Sequence, residues 1–125
     1  MVMVPPTPVK AVFRQRGDAI DYIPAEDVNA GDVVVLNDLS GIAKLDIKAG
    51  ERGALALTGV YAVTKATGPG TAIDAGVKVY VDASGQVATT DADDGGDPPV
   101  ANPYLGKCIL AAGDDDATVQ VRLDQ

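Results

Sequence analysis

Residues 27–35 read DVNAGDVVV, and the chain repeats the phrase at residues 46–55 (DIKAGERGAL) and 72–80 (AIDAGVKVY). A weaker echo, AAGDDDATVQV, occupies residues 111–121. Each full copy sets one apolar residue (Val28, Ile47 or Ile73) before a variable position, then Ala-Gly, then a strand-like run. The apolar residue anchors a turn against a core. Gly31, Gly50 and Gly76 then supply a backbone conformation that a Cβ resists, and the chain reverses into the next strand. The uneven spacing of the copies excludes a solenoid of fixed period. They are one way of turning a corner, used repeatedly in a β domain.

Composition sets the limits around this motif. A chain of 125 residues has room for one domain with a real core. The expected division is an extended proline-rich arm over residues 1–10 and a single β domain over 11–125. Hydrophobic residues make up 46%, with no Trp and one Phe, which favours an aliphatic β core over an aromatic ligand groove. A net charge of −8 argues against nucleic acid and anionic membrane as partners, since both need clustered Lys and Arg. The absence of histidine excludes a Cys–His pair, a Ser–His–Asp triad and histidine-ligated zinc. Cys108 is the one cysteine; it lies in an apolar run and is expected to be a buried small hydrophobe. The start, MVMVPPTPVK, lacks the basic and long apolar regions of a signal peptide, so a soluble cytoplasmic product is expected.

Along the chain, Pro5, Pro6 and Pro8 keep the first residues extended. Strands are expected at 9–15, 19–23, 33–36 and 41–45, with the wholly apolar 33–36 at the centre of its sheet, covered on both faces. Residues 53–57 and 60–64, split by Thr58-Gly59, suggest a tight hairpin or a bulge in one long strand. Further strands are expected at 77–82, 86–89, 105–112 and 117–123. In the first of these Val77, Val79 and Val81 face one way, and in the last Val119, Val121 and Leu123 point inward. Ala83-Ser84-Gly85 reads as a hairpin turn. About ten short strands without helical periodicity make an all-β fold, a jelly-roll-like sandwich or a small barrel.

No stretch reads as an active site. The acidic loop Asp91, Asp93, Asp94 and Asp97 has carboxylates of the kind Ca²⁺ prefers. Gly95 and Asn102, however, stand where an EF-hand loop needs a ligand and a bidentate Glu, so a solvated loop is expected. Gly68-Pro69-Gly70 lacks the Lys-Ser/Thr of a P-loop. No cofactor or metal is expected. The apolar-x-Ala-Gly turn also occurs in lipoyl or biotinyl carriers, for which Lys44, Lys48, Lys65 and Lys78 are candidate attachment points. None sits in a Met-Lys-Met or Asp-Lys-Ala setting. A small β-barrel carrier or ligand-binding module is the alternative reading.

Taken in order, the residues resemble a known family. They are Phe13, Gly17-Asp18, Ile20-Asp21-Tyr22 and Pro24, then Val28-x-Ala30-Gly31-Asp32-Val33-Val34 and Gly41-Ile42-Ala43. Asp46-Ile47-x-Ala49-Gly50-Glu51, Gly59-Val60-Tyr61, Ala75-Gly76-x-x-Val79-Tyr80, Leu105-Gly106 and Val119-x-Val121-Arg122-Leu123 follow. The order is similar to that of the small cement, or capsid decoration, proteins of tailed bacteriophages and prophages. The resemblance implies a jelly-roll-like fold, no catalysis, and many copies outside an HK97-type shell in contact with the major capsid protein. It also implies a homo-oligomer, dimer or trimer, on the virion exterior, with the host cytoplasm as the place of assembly. It carries over no binding residues. The arm residues Val2, Val4, Pro5, Pro6, Pro8 and Val9, with Tyr104, are the candidate interface because they are apolar and the arm is too proline-rich to fold alone.

Overall fold

The computed structural model describes residues 10–82 and 87–125. Among them are nine strands and no helix: β1 Ala19–Tyr22, β2 Val33–Leu36, β3 Leu39–Ala43, β4 Gly53–Ala56, β5 Val60–Thr64, β6 Lys78–Asp82, β7 Val87–Thr89, β8 Tyr104–Leu110 and β9 Thr118–Leu123. They form two antiparallel sheets, ordered β1-β4-β3-β2 and β5-β9-β8-β6-β7. The arrangement is sandwich-like, without a closed barrel.

The second sheet repeats the first. β1, β2, β3 and β4 correspond in order and neighbours to β5, β6, β8 and β9, while β7 is an addition outside β6. Registers agree residue by residue. Ile20 lies opposite Leu55 as Tyr61 lies opposite Val121, and Ala43 lies opposite Leu55 as Cys108 lies opposite Val121. Val34 lies opposite Gly41 as Val79 lies opposite Gly106.

The loops agree too. Val28 and Ile47 exchange two backbone hydrogen bonds of 2.8 Å, and Ile73 and Ala112 exchange two of 2.9 Å. The Gly31 N–H donates to Ala43 O at 2.7 Å, and the Gly76 N–H donates to Cys108 O at 2.7 Å. The Leu57 N–H reaches Asp18 O at 2.8 Å where the Leu123 N–H reaches Gly59 O at 2.9 Å. The four copies of the turn are therefore two complementary pairs, one closing each sheet. Gly31, Gly50 and Gly76 adopt φ of 91°, 79° and 86°, in the left-handed region where an L side chain is strained.

Each repeat has its own core cluster, and Ile42 and Val33 of the first repeat pack into that of the second. In the second, Val63, Val79, Val81, Ala88, Leu105, Cys108, Val119, Val121 and Leu123 are buried together under Ile73 and Ala112. Leu105 and Leu123 alone contribute about 1.5–3 kcal/mol each by leaving water. In the first, Ala43, Ile47 and Leu55 form the buried cluster, with Ile20, Tyr22, Val28, Val34 and Leu36 half-buried around them; Ala56 and Leu57 are buried beside it. The repeats meet along β3 and β8. There the Gln125 side chain accepts from the Ser40 N–H at 2.8 Å and donates to Leu105 O at 2.7 Å.

Several expectations from sequence are corrected here. Residues 10–15 form no strand: Val12 and Phe13 project into solvent, Phe13 at 82% exposure, because no sheet edge lies beside them. The wholly apolar β2 is an edge strand, not a central one; its run is apolar because it borders a cleft between the sheets. Thr58-Gly59 makes neither a hairpin nor a bulge: β4 and β5 belong to different sheets, and this dipeptide is the crossover. Val79 and Val81 are buried, but Val77 lies before β6 and is part-exposed. The turn expected at Ala83-Ser84-Gly85 lies outside the described residues, while β6 and β7, which it was expected to join, do pair. β9 alternates as expected, with Val119, Val121 and Leu123 inward.

Candidate interaction surface

A cleft of about 750 Å³ lies between the sheets, lined by the β2 residues Val33, Val34 and Val35 and by β5 residues 61–64. Tyr22, Val28, Ile42, Val81 and Pro103 complete its walls. The walls present aliphatic side chains, two phenol rings and bare strand edge, with Asp32 as the charged side chain. Such a surface suits an extended chain, which needs apolar contacts and backbone hydrogen-bonding partners.

A second surface surrounds Tyr104. Its ring meets Tyr80 edge-on, centroids 5.7 Å apart at 67°, and its hydroxyl donates to the Asp124 carboxylate at 3.3 Å. Partial burial, with the Asp124 charge beside it, pushes the phenol up from its ordinary pKa. Lys107 approaches the same carboxylate at 4.0 Å, a long and exposed pair of little energetic consequence. Tyr104 is thus half-buried and already engaged by its own fold. The other candidates, Val2, Val4, Pro5, Pro6, Pro8 and Val9, lie outside the described residues.

The acidic loop is a structured hairpin whose carboxylates hold its own backbone. Asp94 Oδ1 accepts from the N–H groups of Gly96 (2.8 Å) and Val100 (3.0 Å), and Asp93 Oδ1 accepts from Gly95 (2.9 Å). Asn102 Nδ2 donates to the carbonyls of Asp91 and Asp93, at 3.0 and 3.1 Å. The bonds from Val100 and Gly96, in that order, hold the Asp94 carboxyl below the ordinary carboxylate range. Among the described residues no group of three or more acidic, cysteine or histidine side chains suits a metal ion.

Of the candidate carrier lysines, Lys65 is 3% exposed. Its ammonium donates to Ala66 O at 2.7 Å and to Thr71 Oγ1 at 3.3 Å, which makes it a structural clasp with no access for a modifying enzyme. Lys78 stands within β6, and Lys44 and Lys48 are exposed in the connection and turn after β3. Cys108 is buried, as its apolar neighbours implied.

Sequence reading passed over the exposed apolar side chains Leu45, Val100, Ile109 and Leu110. Ile109 and Leu110 were hidden by an irregularity: the register of β8 shifts between Cys108 and Leu110, so simple alternation does not place them. Leu45 stands two residues past the end of β3, at 76% exposure.

No match to the chain was found among curated proteins or among solved structures. A family model described as phage cement protein matches residues 14–123, which takes in every strand of both repeats. Paired antiparallel sheets with apolar side chains left in solvent accord with that match, and the chain belongs to the phage cement protein family, whose role is structural and associated with the capsid.

Proposed function

We propose that the protein binds the outside of an HK97-type shell, without catalysis, and stabilises it by bridging neighbouring copies of the major capsid protein. The family match over residues 14–123 carries this reading. The molecule supports it physically. Rigid paired sheets transmit load, and many modest contacts repeated over a shell add to a durable attachment through multivalency. The net charge of −8 keeps the protein off packaged genome and assembly intermediates. It acts as a dimer or trimer, is made in the host cytoplasm, and uses the arm 1–10 and the surface around Tyr104 for contacts. Exposed Phe13, Leu45 and Leu110 extend the apolar surface offered to a partner.

Quantitative mass spectrometry of purified particles from the source organism tests this. The expected result is a copy number comparable to that of the major capsid protein. Particles that form and persist without the chain overturn the reading. Removal of residues 1–8 should lower occupancy on the shell; full occupancy would exclude the arm from shell attachment.

A further inference from the structure

The two repeats differ at one edge. In the second, β7 lies along the outer edge of β6, Tyr80 opposite Thr89 and Val81 opposite Ala88. Ala88 also makes one isolated bridge to Lys65, just past β5. In the first repeat the corresponding edge is bare, since β2 pairs only with β3 among the described residues. The Ala43 N–H donates to Asp32 O, so by antiparallel alternation Val34 and Leu36 address β3. Val33 and Val35 turn their N–H and C=O groups into the cleft. Of their counterparts in β6, Tyr80 pairs with Thr89 of β7, while Lys78 lies just before the paired stretch.

The packing is unfinished in the same place. Val63, Ile73 and Val79 are at most 9% exposed in the second repeat, whereas the equivalent Tyr22, Val28 and Val34 are half-buried and line the cleft. Between β2 and β3 the chain has a two-residue turn, Asn37-Asp38, where the second repeat has room for β7 and the acidic loop.

We infer that this cleft receives residues 1–9 of a second copy of the chain, which add along β2 as the strand the first repeat lacks. The segment, MVMVPPTPV, carries no charged side chain, matching the apolar walls, and its first four residues equal β2 in length. Prolines are tolerated on an edge strand, where one side of the backbone needs no partner. Residues 10–18 are exposed at every position, so the chain ahead of β1 runs out from its own body. Moreover β1 and β2 are opposite edges of one sheet, about 14 Å apart at ~4.8 Å per strand. The nine exposed residues 10–18 reach ~30 Å when extended, far enough to carry the arm of one copy into a neighbour's cleft.

The inference deepens the oligomeric part of the proposed function but needs no shell, so it is tested on the isolated full-length protein. A mixture of V4C and V35C chains, oxidised mildly, is expected to yield a covalent heterodimer; buried Cys108 does not compete. The amides of Val33 and Val35 are expected to be protected from hydrogen exchange, and V2D/V4D to exchange them at least tenfold faster while the Val79 amide keeps its protection. A double V4C/V35C chain that closes on itself as a monomer, no cross-link at all, or protection unaltered in V2D/V4D overturns the inference. Absence of the protein from particles, with these results intact, overturns only the shell reading.

Discussion

The two repeats share strand order, register, turn chemistry and even the placement of a crowded glycine, yet one buries its inner face and the other leaves it half open. The difference lies in what connects the second and third strands. In the second repeat that connection contains β7, whose Ala88 seats on the core and meets Lys65 across the sheet. In the first, Asn37 at φ 54° starts a two-residue turn, and Tyr22, Val28 and Val34 stay half-buried. Buried apolar area, not backbone pattern, separates the two. The same ladder of hydrogen bonds supports a full core in one copy and a half-open cleft in the other.

The equivalence is most exposed to test at Gly41 and Gly106, which hold the same position in β3 and β8. A Cβ on Gly106 would run into the backbone carbonyl of Arg122, which has no room to retreat. A Cβ on Gly41 would meet the Leu55 Cβ at 2.9 Å and Ala56 O at 3.2 Å. Gly106→Ala is expected to cost about 3 kcal/mol or more and Gly41→Ala about 1–2 kcal/mol, read from denaturant midpoints. Equal losses would mean that both repeats relax alike and that the closed sheet is no stiffer than the open one.

Next in size is the closure of the second sheet. Lys65→Met keeps the apolar stem but removes the only side-chain donor to Ala66 O shown in the structure. A loss of about 1–2 kcal/mol is expected, since a half-buried carbonyl loses its charge-assisted donor. An unchanged midpoint would show that desolvation of the ammonium cancels its bonds and that β7 alone closes the sheet.

The smallest effect belongs to the acidic loop, which has no counterpart in the first repeat. The folded Asp94 pKa lies below the unfolded one, so its contribution is complete above the ordinary carboxylate value and is lost as pH falls through the lowered folded value. The Val100 and Gly96 amides should therefore shift and lose exchange protection only below about pH 4, with global stability almost unaltered. Loss of protection already at pH 6 would remove Asp94 as the group that orders the loop.

The sequence alone determined a good deal: an all-β fold, the chemistry of the turns, the alternation of β9, the burial of Cys108 and the family likeness carried by the order of its motifs. These rest on local rules, since a glycine at positive φ or a period-two apolar pattern constrains the residues that carry it. Three things waited for the tertiary structure. It paired the four turns two by two, made Thr58-Gly59 a crossover between sheets, and put β2 at an edge beside a cleft. An apolar run such as Val33–Leu36 reads the same whether strands or a groove cover it. Only the long-range partners decide which, and they are set by how the whole chain packs.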